Sequence, residues 1–216
     1  MQQVDNSFSK RCTLLAPKLI KALESRKFQA YYCVNAKEAA EKALSLIPSG
    51  STVSWGGSIT LKEIGLIDLV YQKGYTVFDR DQAKNIDERF DLMRKALLSD
   101  VYLTSINSIS EDGILINIDS VGNRTAAITF GPKSVIAIVG MNKVCKTADD
   151  AEVRARNYTA PLNAVRLLLE KTPCTSNGSC ADCKTDECIC STIVKTRMCK
   201  IAGRIKVILV GEYLGY

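Results

Sequence analysis

The chain of 216 residues contains no histidine. That excludes serine–histidine and cysteine–histidine catalysis, and it removes every imidazole metal ligand. Acid–base work near neutral pH then falls to carboxylates, lysines, tyrosines or thiols. Aromatic residues are scarce at 6%, and the net charge of +6 comes from lysines and arginines spread along the chain without a block of like charge. Nucleic-acid binding is therefore not expected. No apolar run approaches membrane-spanning length, so no membrane partner is expected either. The opening stretch MQQVDNSFSKRC lacks the apolar core of a secretory signal, which predicts a cytoplasmic protein. Cysteine, by contrast, is abundant, with nine residues. A reducing compartment argues against a disulfide framework.

Periodicity organises the rest. Leu14, Leu15, Leu19, Ile20 and Leu23 recur at helical spacing between Ser9 and Lys27, with Pro17 marking a bend or the true helix start. Phe28–Val34 reads as a strand, and Asn35 with Glu38 opens a helix to about Ile47. Pro48-Ser49-Gly50 is a turn and Ser51–Trp55 a second strand. Thr60 with Glu63 reads as another capping box, and Gly74 suits the end of its helix. Tyr75–Phe78, Ile86–Leu98 and Val101–Thr104 continue as strand, helix, strand. This alternation predicts an α/β fold with a mostly parallel sheet covered on both faces. Ile114–Ile118, Ala126–Phe130 and Val135–Val139 then read as three strands joined by tight turns. Helices near Ala148–Tyr158 and Pro161–Lys171 follow, and Ile205–Val210 is the last strand. With no internal repeat or long linker, residues 1–216 read as a single domain, with the cysteine-rich stretch 172–199 as a lobe inserted before the last strand.

Three loops carry candidate chemistry. Strand Ser51–Trp55 ends in Gly56-Gly57-Ser58 before a helix start. Such a junction offers free backbone N–H groups, a helix dipole and the hydroxyls of Ser58 and Thr60 to an anionic or carbonyl-bearing ligand. The alternative is a turn with a capping hydroxyl. The pattern is neither a Walker loop nor G-x-G-x-x-G, so a nucleotide is not implied. The second loop runs from Asn117 to Arg124. Its Gly122-Asn123 pair suits a hairpin turn. Arg124 has a fork suited to a phosphate or carboxylate, with Asn123 beside it, and Asp119 is a general base or an ion-pair partner. The third loop, Gly140-Met141-Asn142-Lys143, supplies Asn142 and a second positive charge in Lys143, unless that lysine is simply solvated. Glu63 is a further carboxylate candidate, although a helix cap explains it.

The strongest chemical signal is five thiols within seventeen residues, Cys174, Cys180, Cys183, Cys188 and Cys190, set among Gly, Ser, Asn and Asp. Loops of this composition bend easily, so four sulfurs can converge. Without histidine the site is all-thiolate, which suits zinc or an iron–sulfur cluster. The spacings, x5 then x2 then x4 or x6, match neither a ferredoxin nor a zinc ribbon, so the metal is not readable from them. Local disulfides after oxidation and a redox dithiol at Cys180 and Cys183 remain the alternatives. Cys12, Cys33 and Cys145 stand alone and read as packing residues.

Gly56 through Leu66, Asn117 through Arg124 with Ala126 through Lys133, and Val139 through Lys143 together resemble the LUD-domain family, the lactate utilization proteins of the LutC type. The resemblance spans nearly the whole chain. It implies a layered α/β architecture similar to the NagB/RpiA/CoA-transferase-like group. A subgroup of short members is similar from Thr172-Pro173-Cys174 onward and closes on Gly203 through Val210. By that similarity the metal ligands are Cys174, Cys180, Cys183 and Cys190, with Cys188 as the alternate fourth. LutC-type proteins themselves generally lack the cysteine lobe.

The resemblance implies a part in oxidising L-lactate to pyruvate, within a complex that includes iron–sulfur partner proteins. Its redox setting favours a 4Fe–4S cluster over zinc. The expected ligand of the strand-end pocket is a small anion held by Gly56, Gly57, Ser58, Thr60, Asn123, Arg124, Asn142 and Lys143. Two rival readings stand beside this one. One is a lone enzyme acting on a sugar phosphate or CoA ester, with Asp119 or Glu63 as base or nucleophile. The other is a non-catalytic, zinc-stabilised subunit. Homo-oligomerisation is left open.

Overall fold

A computed structural model describes residues 6–216. Residues 1–5, the first part of the stretch read for a signal, lie outside it. Helix α1 (Ser7–Ser25) leads to β1 (Gln29–Cys33), α2 (Ala36–Ser45), β2 (Thr52–Trp55), α3 (Ile59–Glu63) and α4 (Leu66–Gln72). Strand β3 (Thr76–Phe78), a 3-10 turn over Arg80–Gln82, α5 (Ile86–Ala96) and β4 (Val101–Thr104) follow. Next come β5 (Ser108–Ser110), β6 (Leu115–Asp119), α6 (Asn123–Thr129), β7 (Ser134–Gly140), a 3-10 turn over Met141–Lys143, and β8 (Val144–Cys145). Helix α7 (Ala148–Arg154) runs through a π-helical turn, Ala155–Thr159, into α8 (Ala160–Arg166). Helix α9 (Pro173–Asn177), β9 (Thr192–Thr196) and β10 (Ile205–Val210) complete the order.

Six strands form one all-parallel sheet in the order β1-β10-β7-β4-β2-β3. Its central strands are apolar on both faces, as a doubly covered parallel sheet requires. Val207 and Leu209 of β10 and Val135, Ala137 and Val139 of β7 point into a core with α1. The intervening Ile208, Val210, Ile136 and Ile138 point into the opposite core, with α2 and α4. A second, four-stranded sheet runs β8-β5-β6-β9. Strand β6 gives Leu115 to the first core and Ile116 and Ile118 to a third, small core with Ala151 and Ala155. The molecule is thus a layered α/β fold, as the alternation predicted. Among the described residues no helix is long and apolar enough to cross a membrane.

Several local expectations are corrected. Pro17 lies inside α1 and neither starts nor ends it. Buried Cys12 and Ala16 before it and Leu19 and Leu23 after it hold the helix to the core across the proline, against a cost of about 3 kcal/mol. Ala126–Phe130 is no strand: Asn123–Thr129 is helix α6. Gly122, at φ +82°, turns the chain into that helix and not into a hairpin. A short run of Ala, Ile and Thr fits either structure by periodicity, and the Asp119 cap described below decides it. The cap before Leu61 is Ser58 and not Thr60, so the Thr60–Glu63 capping box does not form. Finally, the end of the cysteine stretch is woven into the second sheet, with β9 pairing antiparallel to β6 from Leu115↔Thr196 to Asp119↔Thr192.

Candidate functional site

Parallel strands end on the same edge of their sheet, and ligands of open α/β sheets bind at that carboxyl edge. Here β2 delivers Gly57–Thr60 to the edge, β3 delivers Arg80, β4 delivers Ser105–Asn107 and β7 delivers Lys143. All of them line one cavity of about 230 Å³. Helix α8 adds Asn163 and Arg166, the end of β6 adds Asp119, and the start of α6 adds Asn123 and Arg124. Among the described residues, the charged side chains of the lining are four cations, Arg80, Arg124, Lys143 and Arg166, against the carboxylate of Asp119. The volume suits a small metabolite more than a drug-sized ligand.

Lys143 is buried, with only 3% of its surface exposed, so the solvated alternative fails. Its Nζ donates to Ser105 Oγ at 2.9 Å and to Thr60 Oγ1 at 3.1 Å. Burial, and then the nearby charges of Arg154 and Arg124, pull its pKa down from the ordinary lysine range to about 7, against a smaller upward pull from Glu63. A titratable group so displaced inside a cleft marks a functional-site candidate.

Arg124 is held on four sides by the protein itself. Nη1 donates to Asn117 Oδ1 at 2.7 Å and to the Ser105 carbonyl at 3.1 Å. Nη2 donates to Asn107 Oδ1 at 2.7 Å and to the Ile118 carbonyl at 2.5 Å. Four donor directions of its fork are therefore spent on the protein, so Arg124 braces the segment after β4 against strand β6 while still lining the cavity. Asp119 is engaged too. Its Oδ2 accepts the backbone N–H groups of Arg124 at 2.8 Å and Thr125 at 3.0 Å, which caps α6. That commitment speaks against a free general base.

The double glycine now has a steric reason. A Cβ at Gly56 would stand 2.8 Å from Tyr102 Oη and 3.3 Å from Arg124 Cδ, and a Cβ at Gly57 would stand 2.6 Å from Arg80 Nη2. The glycines let side chains close over the loop. The helix behind them, α3, has five residues, too short for the dipole attraction the sequence promised. Gly56 itself falls outside the cavity lining. Asn142 and Glu63 also fall outside the lining, and both hold the C-terminal segment. The Leu214 N–H donates to Asn142 Oδ1 at 3.2 Å, Asn142 Nδ2 donates to the Gly215 carbonyl at 3.2 Å, and the Gly215 N–H donates to Glu63 Oε2 at 2.7 Å.

Sequence reasoning missed Arg80, Ser105, Asn107 and Arg166. The first three follow strands β3 and β4 directly, so the strand-end rule that singled out Gly56–Thr60 would have found them. Arg80 is the least committed cation. Its Nε is buried without a hydrogen-bond partner among the described residues, and Asp81 stands 3.8 Å away, too far for one.

Cys174, Cys180, Cys183, Cys188 and Cys190 line a second cavity of about 120 Å³. Cys190 is pushed up to about 12 by burial and then by the other four thiols. All nine cysteines are free, and among the described residues no three Cys, Asp or Glu stand at metal-binding distance. Ile189 lines both cavities, so the thiols lie directly beside the cationic site.

The family model described as the LUD domain matches residues 16–210. No curated protein matches the chain. Among solved structures it is similar to the crystal structure of a DUF162 family protein from Deinococcus radiodurans, at 14% identity and a TM-score of 0.50, over 94% of this chain and 98% of that one. At that identity the likeness speaks for the fold alone.

Proposed function

We propose, on the premise that this chain belongs to the LUD-domain family, that its strand-end cavity binds the carboxylate of a small 2-hydroxy or 2-oxo acid such as L-lactate or pyruvate. Membership points to work in lactate utilization. The observation that carries the finer reading is the cationic cavity, with Arg80 Nε lacking a hydrogen bond among the described residues and Lys143 buried on neutral hydroxyls. Arg80 takes the carboxylate, since a guanidinium matches that group's planar geometry. Lys143, Thr60 and Ser105 face the substituent on C2. In this reading the chain acts as one component of a complex oxidising L-lactate to pyruvate, with iron–sulfur proteins as partners.

The five thiols are the proposed site of an iron–sulfur cluster or a zinc ion, with Cys174, Cys180, Cys183 and Cys190 as ligands and Cys188 as the alternate. The donor set fits in chemistry, being all-sulfur and gathered on one cavity. A bound cluster would supply one-electron transfer, and zinc would supply only structure.

Calorimetric titration tests the carboxylate site. Pyruvate and L-lactate should bind, and Arg80→Ala should weaken both at least tenfold, about 1.4 kcal/mol, while the melting temperature stays within a few degrees. Unchanged affinity in that variant overturns the assignment.

A further inference from the structure

Lys143 is an odd choice for an anion clamp. An ammonium buried beside two guanidinium groups and, among the described residues, hydrogen-bonded to neutral hydroxyls alone is costly, whereas the free amine escapes the cost of burying that charge. The free amine is a nucleophile, and desolvation beside other cations is a known way to activate one. It faces the same cavity as Arg80. We infer that Lys143 forms a reversible imine with the carbonyl carbon of a small 2-oxo acid whose carboxylate rests on Arg80. This rests on the carboxylate reading of the cavity and goes beyond it by naming a covalent step.

The step balances without a further reactant. The nitrogen lone pair of Lys143 adds to C2, and the C=O π electrons move to oxygen. One N–H proton passes to that oxygen to give a carbinolamine. Loss of the hydroxyl with the second N–H proton, as water, forms the C=N bond. Ser105 Oγ and Thr60 Oγ1, at 2.9 and 3.1 Å from Nζ, are placed to relay those protons. Hydrolysis reverses the sequence and returns the 2-oxo acid. No oxidant or reductant is needed, because no carbon changes its oxidation state.

The full chain is incubated with pyruvate, treated with sodium borohydride and mapped by mass spectrometry, and pyruvate binding is measured separately by calorimetry. The expected result is one reduced pyruvate fixed on the peptide carrying Lys143, absent from Lys143→Met and absent when L-lactate, which has no carbonyl, replaces pyruvate. Ser105→Ala should slow the trapping several-fold at saturating pyruvate, where any loss of affinity drops out of the rate, while the adduct still falls on Lys143. If pyruvate binds but no adduct forms, or adducts fall only on other lysines, the imine is overturned and the carboxylate site stands. If pyruvate neither binds nor is trapped, both fall.

Discussion

Lys143 and Arg124 are the two cations of this cavity that the protein itself surrounds, and they bear on stability in opposite ways. The folded pKa of Lys143, about 7, lies well below the ordinary lysine value. Between those values the unfolded chain binds a proton that the folded chain does not, so folding is opposed there, and stability rises as pH climbs through the window. The opposition reaches full size below about 7. Charged groups acting on Nζ are Arg154, Arg124 and Glu63, and none is removed by a change at 143. We therefore expect Lys143→Met to be more stable than the parent at pH near 7, with the gain shrinking towards pH about 9.5, as read by denaturant melts at both values. Arg124→Ala should do the reverse. It strands Asn117, which is fully buried, together with Asn107 and two carbonyls. A loss of about 3 kcal/mol or more is expected in the same melts, because unpaired buried acceptors each carry their desolvation cost. An Arg124→Ala protein of parental stability that fails only in ligand binding would favour the clamp reading.

At the scale of elements, helix α6 shows how a short segment is decided by its ends. Its seven residues are too few to be helical on their own. Asp119 takes the first N–H groups, and Arg204 takes the last carbonyls: Nη1 donates to Ile128 O at 2.7 Å and Nη2 to Ala127 O at 2.9 Å. Asp119→Ala should cost about 1–2 kcal/mol by loss of the cap, and Asp119→Asn, which keeps an acceptor, should cost less. Equal losses in thermal melts would point to the charge and not the cap. The π-helical turn Ala155–Thr159 matters in the same way. Within it Thr159 takes a hydrogen bond from Arg154 Nη1 at 2.9 Å, and the helix running on from it turns Asn163 and Arg166 to the cavity. Periodic reading split this stretch into two helices because a π turn shifts the phase of the apolar positions.

At the scale of the molecule, the thiol cavity and the cationic cavity share the wall formed by Ile189, and the cysteine stretch ends in β9, paired with the strand that carries Asn117 and Asp119. A metal that gathers the thiols would therefore brace the cavity as well. We expect anaerobically purified protein to carry iron with sulfide, or zinc. Removing the metal with a chelator should lower the melting temperature by several degrees and weaken pyruvate binding. Metal loss without any effect on binding would separate the two sites.

The sequence by itself determined the alternating layers. Largely apolar strands such as Val135–Val139 and Ile205–Val210, alternating with helices, suit the inside of a parallel sheet, and that places their carboxyl-end loops on one edge. For the same reason Gly57, Ser58, Thr60 and Lys143 were legible as neighbours in one cavity before any coordinates, whereas Asn123 and Arg124 reach it from the second sheet, after β6. The thiol cluster was legible because its members are close in sequence. What each cation does was decided only by tertiary structure. Whether an arginine is free or saturated depends on acceptors distant in the chain, as Ser105 and Asn107 are for Arg124. Whether a lysine is charged depends on how much water packing leaves around it. Asn142 and Glu63 turned out to hold a C-terminal segment more than seventy residues away, a contact that no local pattern encodes.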